Sequence, residues 1–309
     1  MQETRNKRQL ILLAILVVAT LLVFWWAQPE NRVPVAQDVF QVPDLKSISK
    51  IELASGGNAV TLSFNGAHWM VNGSNADGNM INVLFATLQQ ARPRRMVAHA
   101  TRDSIYSLLE KRGVGVRLYE GDVLVKTFIA GGNRSKTQAF FADPATKDVF
   151  VMAIPGYRVY VSGIFEMNER GWWDKLVFGF NWASFKSLKA EFPGNPADNF
   201  SVERKQGQFG VEGLVQTDTA RLNTYLDNVS LLTVDEYLPE PELKDSLLAR
   251  TPLLHITVSD LGNRTYDLAI FDAKPAQAHS GVIQHSRVAL FSHRKIQPLL
   301  KAKSFFRKK

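Results

Sequence analysis

The feature that most constrains the fold is a pattern that the chain shows twice, about 140 residues apart. "HWMVNG" at residues 68–73 has a counterpart in "QFGVEG" at residues 208–213. Each is preceded by apolar residues that alternate as in a half-buried strand. Each is followed by apolar residues at helical spacing. In the first copy these are Ile81, Leu84, Phe85 and Leu88, and in the second copy they are Leu222, Tyr225, Leu226 and Val229. A chain that repeats the order of its periodicities is expected to fold twice in the same way.

The correspondence extends over nearly all of the chain beyond residue 44. In both copies a second helical segment follows the first, and strand patterns follow that segment. The ordered succession at a nearly constant offset favours an internal duplication over chance similarity. We predict a first repeat at residues 44–182 and a second repeat at residues 183–309.

Each repeat is predicted to be an α+β module. The strand patterns suit an antiparallel sheet, and two helices between the early and the late hairpin are expected to cover one face of that sheet. Asp77 and either Thr217 or Asp218 are expected to cap the first helix of each module. A content of 45% hydrophobic and 21% charged residues is typical of a folded chain with a sizeable core.

The run from Leu10 to Ala27 contains no Pro, Gly or charged residue. As a helix it would be about 27 Å long, which is close to the hydrocarbon thickness of a bilayer. Basic residues precede the run, so the positive-inside rule places residues 1–9 in the cytoplasm. We predict a single transmembrane helix over residues 10–27 in the inner membrane, with the bulk of the chain in the periplasm.

A cleaved signal peptide is the alternative interpretation of this segment. Its apolar region is usually about 7–15 residues long and ends in small residues at the cleavage site. Here bulky Trp25 occupies the position three residues before that site, so an uncleaved anchor is favoured. Residues 28–43, which include three prolines, are predicted to form an extended linker.

Composition excludes several kinds of chemistry. The chain has no cysteine, which excludes disulfides, thiolate metal sites, thiol nucleophiles and a lipoprotein anchor. The net charge of +8 is spread along the chain and does not by itself indicate nucleic-acid binding. "RPRR" at residues 92–95 has no neighbouring aromatic residue for base stacking and is interpreted as a solvated face or a lipid-headgroup contact. No nucleic-acid partner is expected.

Two further motifs invite a chemical interpretation. "GGNRSKT" at residues 131–137 resembles a phosphate-binding loop, but Ser135 stands where that loop needs Gly, so a hairpin connection is favoured. His279, His285 and His293 could converge across strands, although no carboxylate pattern accompanies them. Structural histidines are therefore favoured, and no metal or cofactor is expected.

The segment between the two repeats is rich in acidic and aromatic residues. Glu166, Glu169 and Asp174 could supply a general acid and base, but a solvated connector is the favoured interpretation. Trp172 and Trp173 are adjacent, and nothing comparable follows the second repeat. One indole is expected to be buried and the other could contact a partner. Trp172 and Trp173 are thus the only candidate partner surface, and we assign no catalytic residue.

Several of these segments together resemble a known family. They are the apolar leader, the strand "LKSISKIEL", the "HWMVNG" hairpin and the "WWDKLVF" junction. The chain resembles a bacterial family of unknown function whose members are membrane-anchored envelope proteins. The resemblance implies association with auxiliary components of gliding-motility-type ABC transporters, and it supplies no catalytic residues.

The leading hypothesis is a membrane-anchored periplasmic accessory or scaffold protein without enzymatic activity. It would present its tandem modules to an envelope protein, such as a component of an ABC transporter. One alternative is a ligand- or glycan-binding module with a site between the repeats. An envelope hydrolase ranks lowest, because the chain lacks the usual nucleophile and metal-ligand spacings.

Overall fold

The computed structural model describes residues 2–26, 36–42, 44–180, 182–205, 207–239, 242–274 and 277–308. Met1, Ala27 and residues 28–35 and 43 of the predicted tail, span and linker lie outside the described residues. The helices are α1 (Gln2–Trp26), α2 (Gly78–Gln90), α3 (His99–Arg112), α4 (Glu169–Trp172), α5 (Thr219–Ser230), α6 (Glu242–Leu248) and α7 (His293–Ile296).

The strands fall into two groups along the chain. The first group is β1 (Lys50–Ser55), β2 (Asn58–Phe64), β3 (Trp69–Val71), β4 (Ser74–Asn75), β5 (Arg92–Met96), β6 (Val114–Glu120), β7 (Val123–Gly132), β8 (Ala139–Ala142) and β9 (Val149–Ala153). The second group is β10 (Phe185–Glu191), β11 (Phe200–Lys205), β12 (Gln208–Val211), β13 (Glu236–Tyr237), β14 (Leu254–Asp260), β15 (Thr265–Ile270), β16 (His279–Ile283) and β17 (Arg287–Phe291).

Each group of strands forms one sheet. The first sheet has the order β4-β3-β2-β1-β6-β7-β8-β9-β5, and the second has the order β12-β11-β10-β14-β15-β16-β17-β13. The central pairs, such as β1 with β6 and β10 with β14, are antiparallel. The prediction of a mixed α+β fold with antiparallel sheets is therefore confirmed.

The two sheets share one topology. When β4 is set aside, the order of the remaining strands in the first sheet matches the order in the second, strand for strand. In both, one helix lies between the opening hairpin and the far edge strand, and a second helix follows that edge strand. The equivalent central strands are also paired antiparallel in both sheets, with Glu52 facing Arg117 in the first and Glu191 facing His255 in the second.

Asp77 and Asp218 cap the first helix of each half, as predicted. The Asp77 carboxylate accepts a hydrogen bond from the Asn79 amide at 2.8 Å, and the Asp218 carboxylate accepts one from the Arg221 amide at 3.1 Å. Each carboxylate satisfies an amide that the helix itself leaves without a partner. Thr217, the other candidate, instead accepts a hydrogen bond from the Val211 amide at 3.2 Å.

The chain divides into two compact units, and each unit consists of two separate segments of the sequence. The first unit is Met1–Ala59 with Val83–Glu166, and the second is Val60–Asn82 with Met167–Lys309. Phe40, which falls in the predicted linker, is buried in the first unit. Its ring meets three others edge to face at 5.4–5.7 Å, those of Phe128, Phe141 and Phe150. This aromatic cluster makes Phe40 part of the folded unit.

The expectation that both helices cover one face of the sheet is wrong for the second unit. Helix α5 contributes to the core that contains Leu268 and Ile270 of β15. Leu247 of α6 packs instead with a cluster that contains Ala269 and the following Phe271. Since successive strand residues point to opposite faces, α5 and α6 lie on opposite faces of the sheet.

The physical reason is visible in the strands themselves. The last three residues of β15 and all four residues of β8 are apolar and buried, so the apolar pattern there is continuous and does not alternate. Continuous apolar runs indicate strands that are covered on both faces. In the first unit, α3 packs accordingly on the face of Ile129, with Tyr106 and Leu109 in a small separate cluster.

Helix α1 stands apart in its exposure. Every residue from 11 to 23 is exposed, and most are large and apolar. Within the part of the chain that the structure describes, no helix combines the length and apolarity needed to cross a membrane.

Candidate partner surface

The adjacent tryptophans lie at the end of α4. The Asn168 side chain caps this short helix by accepting a hydrogen bond from the Gly171 amide at 3.0 Å. Trp172 is the last residue of the helix, and Trp173 follows in an extended conformation. Their side chains therefore have different environments: Trp172 is fully buried, and Trp173 is half-buried. Burial leaves Trp172 no surface to present, so the predicted partner contact rests on Trp173.

The Trp173 ring is held by three neighbours. Its Nε1 donates to Glu169 Oε1 at 3.2 Å. The Arg287 guanidinium lies 4.3 Å from the ring centre, and the Tyr237 ring meets it edge to face at 5.1 Å. Cation–π and edge-to-face contacts of this kind each contribute about 0.5–1.5 kcal/mol. These three contacts therefore hold the indole in one orientation.

Hydrogen bonds fix these neighbours in turn. Arg287 donates to Ser74 Oγ at 2.6 Å, and the Tyr237 hydroxyl donates to the Asp174 carbonyl at 2.7 Å. Burial raises the pKa of the Tyr237 hydroxyl to about 12, so this group stays a donor. Burial also raises the pKa of the Asp174 carboxyl above its ordinary value. All of these residues belong to the second unit.

We use the name Trp173 surface for Trp173, Arg287, Tyr237 and Glu169. It combines a rigid, partly exposed indole, a stacked arginine and a tyrosine. Trp, Tyr and Arg are the residues most enriched at the energetic centres of protein interfaces. A preorganised set also loses little side-chain freedom when it binds. The arrangement is suited to protein recognition.

The acidic candidates serve structural roles. Glu166 accepts a hydrogen bond from the Tyr160 hydroxyl and pairs with Lys136 at 2.9 Å. Glu169 holds Trp173, and it also accepts from the Asn72 amide group at 2.9 Å. Each of these two carboxylates thus forms hydrogen bonds or an ion pair with neighbouring side chains, which is consistent with a connector between the repeats.

The three histidine candidates occupy two places in the second unit. His279 Nε2 lies 3.2 Å from His293 Nδ1, and His279 Nδ1 lies 3.1 Å from the Phe271 carbonyl. A cavity of about 510 Å³ adjoins this pair. His285 instead lies 3.4 Å from Asp267. Among the described residues, no group of three or more acidic or histidine side chains could hold a metal ion.

Sequence reasoning missed a polar row on the second sheet. The His255 ring lies 3.6 Å from Glu191 and 2.5 Å from Asp267, and Asp267 also faces His285. The hydrogen bond to Asp267 raises the pKa of His255 above its ordinary value, and burial opposes this only in part. One signal was available, because Asp267 stands directly before the apolar stretch of β15.

The two basic motifs are parts of the first sheet. In "GGNRSKT" the Asn133 side chain accepts hydrogen bonds from the amides of Thr137 at 2.9 Å and Gln138 at 3.1 Å, which closes the turn between β7 and β8. The predicted hairpin connection is confirmed. "RPRR" forms most of β5, the edge strand that pairs with β9.

Fold and site together define an α+β protein of two similar sheets with a preorganised aromatic surface suited to recognition. The chain belongs to the family described as Domain of unknown function (DUF4340), whose model matches residues 69–250. The matched region begins at β3 and ends just after α6, so it includes parts of both sheets. No curated protein and no solved structure is significantly similar to the chain.

Proposed function

We propose that the protein is a non-enzymatic accessory protein that is anchored in the inner membrane by its first helix and binds an envelope protein through the Trp173 surface. The bulk of the chain lies in the periplasm, and the two similar sheets derive from an internal duplication. The partner is of the kind that the family resemblance implies, a component of an ABC-transporter-type complex.

The observation that carries this proposal is the Trp173 surface. The half-buried Trp173 indole is stacked by Arg287 and hydrogen-bonded to Glu169. These two contacts restrict the side chain more than packing alone would. The remaining exposed face of the ring and the charged groups beside it provide an apolar centre with a polar rim. Recognition is the activity that these groups support.

The anchor is supported by composition and exposure. The apolar run from residue 10 to 27 carries no charge, and residues 11–23 of α1 are exposed around the whole helix. Large apolar side chains that are uncovered on every side of a helix favour a lipid environment over water. Tethering would restrict the search for a membrane partner to two dimensions and raise its effective concentration.

One crosslinking experiment tests both parts of the proposal in the full-length chain. A photo-reactive phenylalanine analogue replaces Trp173, and in a matched control it replaces Leu231, which is 74% exposed. We expect a specific crosslink to a membrane protein from position 173 and none from position 231. The double substitution L16K/V17K should abolish that crosslink, because each charge in a membrane span costs about 2.5–3.5 kcal/mol.

The outcomes separate the two parts. A crosslink at position 173 that survives L16K/V17K would leave recognition intact and refute the anchor. Equal crosslinking from positions 173 and 231 would refute the Trp173 surface, whatever the location of the chain. Leu231→Lys serves as the charge control for the membrane fraction, since it adds a lysine outside α1.

A further inference from the structure

A second feature of the second unit is a cavity of about 580 Å³ between α5 and the C-terminal segment, residues 294–305. Helix α5 contributes Arg221, Tyr225 and Asn228, which are spaced as one helical face. The C-terminal segment contributes Arg294, Lys301 and Phe305. The volume lies within the range of small-molecule sites, and most such sites combine apolar walls with a few polar groups.

The charged groups at this cavity are all cations. Arg221 is already engaged, since its Nε lies 3.4 Å from Asp218 Oδ2 and its Nη1 donates to the Phe305 carbonyl at 3.0 Å. Arg294 and Lys301 form no ion pair with any of the described residues. Lys301 Nζ instead lies 5.4 Å from the centre of the Phe305 ring. Two positive charges therefore remain uncompensated beside apolar walls.

Tyr225 supplies an independent observation. It lines the cavity, is only 2% exposed, and its hydroxyl has no hydrogen-bond partner within the described part of the chain. Its ring is fixed edge to face against Phe200 and Phe306. A buried hydroxyl without a partner lowers stability, and it is free to donate a hydrogen bond to a group that binds beside it. Burial raises the pKa of this hydroxyl, which keeps it a neutral donor.

The first repeat lacks the side chains that α5 contributes to the cavity. At the positions that correspond to Arg221, Tyr225 and Asn228, its first helix carries Met80, Leu84 and Thr87. Packing of the repeated fold therefore does not require the basic and polar side chains. Their presence in the second repeat alone indicates a role specific to that repeat.

We infer that this cavity binds a small amphiphilic anion, a phosphate monoester or similar head group joined to an apolar body. Arg294 and Lys301 bind the head, since charge-assisted hydrogen bonds to arginine and lysine are the strongest that phosphate finds in proteins. The apolar body lies against Phe305 and the aliphatic parts of the walls. The site lies within the second unit and does not depend on the Trp173 surface.

Calorimetric titration of the full-length chain tests this inference, with octyl phosphate as the probe. We expect octyl phosphate to bind at least about tenfold more tightly than inorganic phosphate or 1-octanol, because each of these lacks one half of the recognised chemistry. Equal affinity for inorganic phosphate and octyl phosphate would refute the contribution of the apolar walls to binding. Octanol that binds as tightly would refute the role of the cations.

Paired variants locate the binding. R294Q/K301Q should weaken octyl phosphate binding by about thirtyfold or more, because both charged partners of the head are removed. K244Q/R250Q removes one lysine of α6 and one arginine two residues after it, both outside the cavity, and should change the affinity less than twofold. Equal affinity of the wild type and R294Q/K301Q would overturn the inference. The unfolding midpoint of each variant shows whether it is folded.

The Tyr225→Phe variant distinguishes binding from packing. It removes only the unpaired hydroxyl, so the unfolding midpoint without ligand should stay the same or rise. Octyl phosphate binding should weaken by about threefold to tenfold if the hydroxyl donates to the head group. An unchanged affinity would remove Tyr225 from the site.

Discussion

Each sheet places a glutamate opposite a basic residue in its central strand pair, and the surroundings of the two glutamates differ. Glu52 of β1 lies 3.5 Å from Lys50 and 3.7 Å from Arg117, and it accepts a hydrogen bond from the Tyr119 hydroxyl at 2.9 Å. Glu191 of β10 lies 2.7 Å from Lys189, but its cross-strand neighbour is a histidine. The central strand pair thus presents a permanent cation in the first sheet and a titratable one in the second.

The difference extends to the next strand. In the second sheet, His255 is bonded to Asp267, which is almost fully buried and also faces His285. Arg117 of the first sheet is more than half exposed, and no buried carboxylate is paired with it in the described structure. Strand pairs of the same topology therefore carry different electrostatics. We expect pH to act on the second sheet and to leave the first nearly unaffected near neutral pH.

The largest expected effect is that of Asp267→Asn. At pH 6 this change should lower the free energy of unfolding of the second unit by about 2 kcal/mol, because it removes the charged partner of a half-buried histidine. Glu52→Gln in the first sheet should cost about 0.5 kcal/mol or less, since its ion pairs are solvent-exposed. Hydrogen exchange of peptides from β1 and from β15 across a denaturant series measures each loss in the unit that carries the substitution. Similar losses for both variants would contradict the comparison.

The second effect is the pH dependence of the wild type. The pKa of His255 is raised in the folded state, so its contribution to stability is complete below its ordinary pKa of about 6.5. This contribution is lost as pH rises through the raised value. His255→Arg should flatten that part of the stability profile between pH 6 and 9, whereas Arg117→Gln should leave it unchanged. A wild-type slope that persists in His255→Arg would assign the effect to another group.

The smallest effect is expected from Arg117→His, which gives the first sheet the histidine of the second. Because position 117 is exposed and has no buried carboxylate partner, the added pH dependence should stay within about 0.5 kcal/mol. Hydrogen exchange of peptides from β1 and β6 at several pH values, corrected for intrinsic rates, measures it. If the pH dependence of stability at position 117 were as large as that at position 255, the buried Asp267 carboxylate would not be the cause of the difference between the sheets.

Much of the fold was predictable because it depends on local patterns. The strand and helix periods of residues 44–309 fixed the element order, and short-range chemistry identified the caps Asp77 and Asp218 and the turn at Asn133. The placement of α6 on the opposite face was not predicted, since a continuous apolar strand does not say which helix covers which side. The role of Phe40 was missed because prolines nearby indicated a linker.

The candidate sites were less predictable. The tryptophan pair was identified as unusual, but only the chain direction after α4 decided that Trp172 is buried and Trp173 is not. The partners of Trp173 include Arg287, more than a hundred residues away. Sequence spacing could not join them, because strand register and not chain distance brings them together.

The sequence by itself determined that two similar antiparallel α+β modules follow an apolar leader, because hydrophobic period and capping act within a few residues. Only the tertiary structure decided which side chains meet: His255 with Asp267, Arg287 with Trp173, and the cations around the cavity of the second unit. These contacts depend on register and on the placement of helices over the sheets, which arise when distant segments are buried together.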